Sequence, residues 1–375
     1  MPGRVVQTSP SFFKRLEERG VELGIHGFDH VDFRALSQPQ IAEQMKRAAA
    51  EFERSGIAFD GFRCPYLGCD PRVLEAIPNR ALAYSSNTAI AWAPDTGFRS
   101  RSTVTEKTLE SLYRAASADQ FVAMPRFEGD LVEVPVSVPD DLLLVDAWRM
   151  EGGAVLDAWK GVLQAVHARG ELFVLMFHPE ALDRIAAALD GVVAEARRLT
   201  PAVWITQLRD VATWWREKSH FAAYTHEGSH GALHVEFQCT ERATILVRNL
   251  EVPEPTRAWA ASGRVLEGRS LTVPSTVRPF LGVAADTSSA ITRFLREQGY
   301  VVETGERARS CAVFLEEETI LSHPSEVALI KHIESRDAPL VRFWRWPEGA
   351  GSALCLSGDL DALSLMDYLA RIRFS

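Results

Sequence analysis

Apolar runs long enough to cross a bilayer are missing from this 375-residue sequence: none approaches the ~20 residues that a spanning helix needs. The first turns of chain, with Arg4, Lys14, Arg15, Glu17 and Glu18, also lack the apolar centre of a secretory signal, so the expected location is cytoplasmic. Cysteine is sparse. Five residues at 64, 69, 239, 311 and 355 are odd in number and scattered, which argues against a secreted disulfide framework and predicts reduced thiols. Cys64 and Cys69 flank one turn, but no second pair accompanies them, so a thiolate metal site is disfavoured. A basic excess is absent too. With 41 Lys and Arg against 50 Asp and Glu the formal net charge is −9, and no basic cluster stands out, which speaks against a nucleic-acid or anionic-membrane partner. Neutral or lipid-linked sugars stay compatible with that charge.

What is present is ordinary for a globular chain of two or three domains: 46% hydrophobic and 24% charged residues. Its most informative stretch is His26-Gly27-Phe28-Asp29-His30, followed later by Arg63-Cys64-Pro65-Tyr66. Gly20 to Ile25 has the pattern of a short buried strand leading into His26, and strand C-termini are where α/β folds gather their chemistry. Two imidazoles four positions apart can turn toward one ion. Further on, Phe173 to Phe177 is an apolar strand that ends in His178, and Ser352 to Ser357 is another that ends in Asp359-Leu360-Asp361.

In these residues the chain resembles the NodB-homology polysaccharide deacetylases of carbohydrate esterase family four. His26 and His30 stand at the family's second motif, Arg63, Pro65 and Tyr66 at its third, and His178 at its fifth. The family's first motif, an apolar strand ending in paired aspartates, is absent from the start, and its fourth is not clearly matched. The Asp359-x-Asp361 strand looks like that missing opening strand, as in a circularly permuted fold whose termini meet. Two alternatives stay open: a surface turn in which Asp359 or Asp361 caps a C-terminal helix over Leu363 to Ile372, or a lost upstream segment.

The resemblance implies a hydrolase that removes acetyl groups from an N-acetylated sugar, with His26, His30 and Asp361 as ligands of a divalent metal. Two histidines and a carboxylate suit zinc but also accept cobalt, nickel or iron. It further implies Asp359 as base, His178 as the group that protonates the leaving amine, the Tyr66 backbone N–H as an oxyanion donor, and Arg63 as the partner that tunes the base. Asp29, Asp140 and Asp141 are further acids that the sequence cannot rank. Other readings are a non-sugar amide hydrolase and a non-catalytic carbohydrate-binding protein. A homo-oligomer in which a neighbouring subunit donates the Asp-x-Asp strand would look the same in sequence.

The elements expected are α/β throughout: an irregular (β/α) barrel of the polysaccharide deacetylase type over 1–218, a small inserted β-sandwich over 225–284, an α/β segment over 285–350, and a strand and helix over 351–375 that complete the barrel. Ser37 with Gln40 marks a capped helix start, and Asp70-Pro71 marks another. Phe280 to Ala284 is placed with the sandwich. His226, His230 and His234 are placed in a solvated loop, since Gly228 and Gly231 disfavour a helix. In Val341 to Trp346 the rings are expected to face the core and the guanidinium groups to face water, rather than to form a sugar platform.

Overall fold

The computed structural model describes residues 1–76, 82–93, 104–228, 231–260, 263–274 and 277–361. The expected helix over Leu363 to Ile372, His230, and the start of the strand expected at Ala81 lie outside them.

The largest sheet has six parallel strands in the order Ala116–Ser117, Ala89–Ala91, Val136–Val138, Leu172–Phe177, Ser352–Gly358 and Val203–Ile205. Its two central strands are near-continuous apolar runs, as both covered faces of a parallel sheet require. Val174, Leu354 and Cys355 are fully buried. Helices Gly153–Arg169 and Leu182–Ala196 pack over one face through Trp159, Val162, Leu163, Ile185 and Val192. The first of them stops at Gly170, whose φ of 67° is the left-handed cap that glycine tolerates. A second sheet orders Gly61–Phe62, Tyr84–Ser85, Leu131–Glu133 and Arg126–Glu128, parallel except for the last pair.

Among the described strands these two sheets do not join into one hydrogen-bonded ring. At two places the chain steps directly from the four-stranded sheet to the six-stranded one, from Tyr84–Ser85 to Ala89–Ala91 and from Leu131–Glu133 to Val136–Val138, so that two short strands stand where one continuous strand would be needed. Pro135, which has no N–H to give a ladder, sits in the second break. The strand expected over Gly20 to Ile25 is reduced to a single bridge between Ile25 and Phe62, because residues 1–3 run beside it: the Met1 carbonyl accepts from the His26 N–H at 3.0 Å. Helix Gln38–Arg54 covers this edge, started by the capping box of Ser37 and Gln40, and buries Ile41, Met45, Ala48 and Phe52.

Beyond helix Leu208–Ser219 two antiparallel sheets share one apolar cluster. One contains Ala222–Glu227, Leu233–Gln238 and Ser270–Val273; the other contains Thr256–Ala258, Arg264–Leu266, Ile245–Arg248 and Leu340–Phe343. Leu233–Gln238 alternates buried and exposed residues, the signature of a sheet with one wet face. The boundaries differ from the expected ones. The strand Arg278–Val283 lies not here but at the centre of a small parallel sheet with Val302–Glu303 and Cys311–Leu315, and Leu340–Phe343 has left that α/β segment to join the antiparallel sheet. Arg278–Val283 is buried at every position, which an edge of the wet-faced sheet would not permit.

Two further expectations change. His226 and His234 are not in a loop but pair across adjacent antiparallel strands, both exposed, with Gly228 in the connecting turn. The basic residues of Val341 to Trp346 do not face water. Arg345 is 2% exposed, with Nη1 donating to the Arg169 carbonyl at 2.7 Å, and Arg342 is ion-paired to Glu334; Phe343, Trp344 and Trp346 are buried as well. This stretch is wedged between the antiparallel sheet and the parallel one, so both of its faces are covered.

Candidate metal centre

Parallel strands end at the same rim, and each strand end here delivers a functional side chain. Gly61–Phe62 leads into Arg63, Val136–Val138 into Asp140 and Asp141, Leu172–Phe177 into His178, and Ser352–Gly358 into Asp359. Gly358 stands opposite Phe177, and the Asp359 N–H donates to the Phe177 carbonyl at 2.9 Å. His178 and Asp359 therefore leave the sheet as neighbours, and Asp361, two residues on, faces the rim. The C-terminal strand does not pair with the segment leading to His26; it sits deeper, between Leu172–Phe177 and Val203–Ile205.

His26, His30 and Asp361 converge. One Asp361 oxygen lies 3.2 Å from His26 Nε2 and 3.1 Å from His30 Nε2. Gly27, at φ 72°, makes the turn that brings both rings to one side; an added Cβ would press on the Phe33 ring at 3.3 Å. The Phe28 and Asp29 N–H groups donate to Gln44 and fix the loop, while the Asp29 carboxylate turns outward to Arg4, away from the rim.

The chemistry of these three residues fits a bound cation. His26 Nδ1 lies 2.8 Å from the Arg63 carbonyl, which can only accept, so that nitrogen carries the proton and a neutral ring turns the Nε2 lone pair toward Asp361. Burial favours that neutral form, holding His26 below its ordinary pKa. His30 Nε2 is buried and, apart from its 3.1 Å approach to Asp361, has no hydrogen-bond partner among the described residues. Lone pairs facing a carboxylate in a dry pocket repel one another, and a cation among them turns the repulsion into ligation. The observed spacings suit edges of a coordination sphere with bonds of ~2.1 Å, which run roughly 3.0–3.4 Å.

Around these residues stand two charge pairs. Arg63 Nη1 is 2.8 Å from Asp359 and 2.8 Å from the Ser357 hydroxyl, while its Nε and Nη2 donate to the carbonyl and hydroxyl of Ser86. Burial alone would raise the Asp359 carboxyl, but the Arg63 guanidinium together with His26 and His178 outweighs it and holds the group below the usual range. On the other side, His178 Nδ1 is 2.8 Å from Asp141, whose carboxylate also accepts the His178 N–H, and Nε2 is 3.4 Å from Asp361. Burial works against the imidazolium, yet Asp141 and Asp361 prevail and raise His178 well above its ordinary range. Asp140, beside Asp141, is pushed up to about 6 by burial and by that neighbour's charge, and accepts the Tyr113 hydroxyl at 2.6 Å.

The Arg63 loop is held under backbone strain. Tyr66 and Leu67 lie at φ 58° and 53°, left-handed values that cost a non-glycine residue on the order of 1–3 kcal/mol and persist only where the surroundings enforce them. Here Cys64 N–H donates to Asn87 at 2.7 Å, and buried Glu133 accepts from the backbone of Asn87 and Thr88 and from the Ser85 hydroxyl. The Tyr66 ring then stands 4.6 Å from that of His30. Cys64 stands outside both groups of described residues that could hold an ion, His26 with His30 and Asp361, and Asp140 with Asp141 and His178; burial, with Cys69 beside it, raises its thiol.

All seven residues expected from the sequence, His26, His30, Arg63, Tyr66, His178, Asp359 and Asp361, thus line one rim. The sequence did not single out Ser86, Asn87, Glu133 or Ser357, nor rank Asp141 above Asp29 and Asp140. The usable signal was the polar run Ser85 to Thr88, which follows a buried strand without the composition of a surface turn.

No curated protein sequence matches the chain. Among solved structures, a putative polysaccharide deacetylase from Mycobacterium smegmatis is similar with a TM-score of 0.43 and 20% identity, over 58% of this chain and 71% of that one. A probable polysaccharide deacetylase from Pseudomonas aeruginosa PAO1 gives 0.41 and 16%, over 56% and 64%. A carbohydrate esterase domain of a multidomain xylanase, from the hindgut metagenome of Trinervitermes trinervoides, gives 0.25 and 16%, over 48% and 74%. By sequence, the family model described as polysaccharide deacetylase matches residues 1–84. The stretch that this family model matches holds both rim histidines and the Arg63 to Tyr66 loop.

Proposed function

We propose that this chain is a metal-dependent amide hydrolase that removes acetyl groups from an N-acetylated sugar or polysaccharide precursor. The observation that carries the reading is the meeting of His26, His30 and Asp361 around one point, with Asp359 against Arg63 and His178 against Asp141 on either side. A divalent cation held by those three residues would polarise the acetyl oxygen and acidify water, the two things an unreactive amide needs. Zinc suits two imidazoles and a carboxylate, and cobalt, nickel or iron are compatible.

Asp359 is the base. Its carboxylate is kept ionised by Arg63 and is aimed at the rim, ready to accept the proton of the attacking water. Arg63 does not touch substrate; it positions the base. His178, charged and oriented by Asp141, gives a proton to the leaving nitrogen as the C–N bond breaks. The Tyr66 backbone N–H, in the strained loop, is the donor offered to the developing oxyanion. Two carboxylates with opposite partners, a guanidinium and an imidazole, thereby divide base and acid work between them.

The substrate is an N-acetylated carbohydrate, as the family match over residues 1–84 suggests; no observation favours a non-sugar amide or a purely binding role. No described helix is long and apolar enough to cross a membrane. Acetate release from N-acetylglucosamine oligomers tests the reading. Release by the native chain that falls by ~100-fold or more in Asp359→Asn supports it, in line with the usual size of general acid–base catalysis. A chain that binds divalent metal but releases no acetate from any N-acetylated saccharide would overturn it.

A further inference from the structure

The wedge Val341 to Trp346, buried on both faces, opens on one side onto a cleft of about 620 Å³ that has no part in the proposed chemistry. The cleft also touches Gly351, which precedes the Ser352–Gly358 strand, whereas Asp359 follows that strand. The two places lie at opposite ends of the sheet, roughly 20 Å apart at ~3.3 Å per strand residue.

Its lining is cationic in a chain of net charge −9. Four guanidinium groups and Lys331 face Glu171 and Glu334 across it. Both acids are already committed: Glu171 to Arg169 at 2.7 Å and to the Ala123 N–H, Glu334 to Arg248 at 2.6 Å and Arg342 at 2.8 Å. That leaves Arg345 and Lys331 without an ion pair among the described residues. Arg345 is the telling one. It is 2% exposed, always charged, and spends Nη1 on two backbone carbonyls, yet its Nε is buried with no acceptor among the described residues; Arg248 Nε on the same cleft is in the same position. A buried guanidinium kept without a carboxylate is costly to hold, and planar N–H donors in that state match the oxygens of a phosphate or carboxylate. Half-buried Trp259, edge-on to Trp344 at 4.7 Å between centroids, adds an aromatic wall against which a ring can rest.

We propose that this cleft is a second ligand site, distinct from the metal rim, that takes a small molecule bearing an oxyanion, a phosphate monoester or a carboxylate, with Arg345 as the inner anchor and Lys331 at the mouth. The site needs no bound metal, so it stands or falls independently of the deacetylase reading.

Calorimetric titration of the full chain with inorganic phosphate, glucose 1-phosphate and glucuronate, each against sodium chloride at equal ionic strength, tests this. The expected result is one saturable site for at least one probe, weakened about 10-fold or more in Lys331→Glu and lost in Arg345→Gln, with affinity restored in Lys331→Arg. Phosphate probes binding without glucuronate assign a phosphoryl ligand, and the reverse assigns a carboxylate; either supports the proposal. Lys331 is exposed and outside the core, so its charge reversal remains informative if Arg345→Gln fails to fold. Heats no larger than those of chloride for every probe, or an affinity unchanged in Lys331→Glu, would overturn it.

Discussion

Replacing Arg63 by Met removes the partner of a buried carboxylate and leaves the rest of the rim in place. Arg63 and Asp359 have side chains 6% and 12% exposed and lie 2.8 Å apart, so their interaction is not the weak surface kind. Removing one member of such a pair strands the other charge in the interior and costs about 3–5 kcal/mol. Three further donor contacts, to Ser357 and twice to Ser86, go with it. The loss has a pH signature. In the native chain Asp359 titrates below its unfolded value, so its contribution is present above the unfolded carboxylate pKa of ~3.9 and disappears as pH falls through the lower folded value. In Arg63→Met burial acts unopposed by the guanidinium and raises the Asp359 carboxyl, so the deficit against the native chain is largest at neutral pH and narrows on acidification. Urea unfolding of both proteins in chelator, at pH 7 and at pH 4.5, reads this directly. A deficit below about 1 kcal/mol at pH 7, the size of an exposed pair, or one that widens at the lower pH, refutes the reasoning.

Other outcomes follow from single contacts. Asp141→Asn removes the carboxylate that helps to raise His178, so the alkaline limb of the acetate-release profile moves to lower pH while metal content is retained; an unmoved limb would remove Asp141 from the relay. In stability terms the His178 contribution is complete below the unfolded histidine pKa of ~6.5 and is lost as pH rises through its higher folded value, and Asp141→Asn flattens that alkaline loss in an unfolding titration. Gly170→Ala places a Cβ 2.6 Å from the Trp344 ring at a φ of 67°, and is expected to lower the thermal midpoint by several degrees, corresponding to more than about 1 kcal/mol; a neutral effect would contradict the packing at that helix end.

The site was more legible than the fold around it. His26, Arg63 and His178 stand at the ends of apolar runs, and such an end is visible in sequence because a charged or imidazole side chain closes it; His30 is marked by its spacing of four from His26. Asp359 and Asp361 could be brought to the histidines only by supposing that the chain's two ends meet, since periodicity carries no information on which strand lies beside which. The supposition located the residues but not the neighbours: the C-terminal strand lies between those ending at Phe177 and Ile205. Strand ladders of two or three residues, as at Gly61–Phe62 and Tyr84–Ser85, are too short for a hydrophobic period to register, so the two crossings that keep the sheets apart could not be foreseen. Arg342 and Arg345 misled for a different reason. Alternating rings and guanidinium groups normally mark one wet face, and only the tertiary partners, Glu334 and the carbonyls of Arg169 and Gly170, make burial of both faces tolerable.

Metal stoichiometry of the purified chain and of its His26→Ala and Asp361→Ala variants tests most directly whether residues from the two ends of the sequence share one ion. One divalent ion per native chain, lost from both folded variants, is the expected result. Full occupancy retained in Asp361→Ala would contradict it and take the C-terminal carboxylate out of the centre.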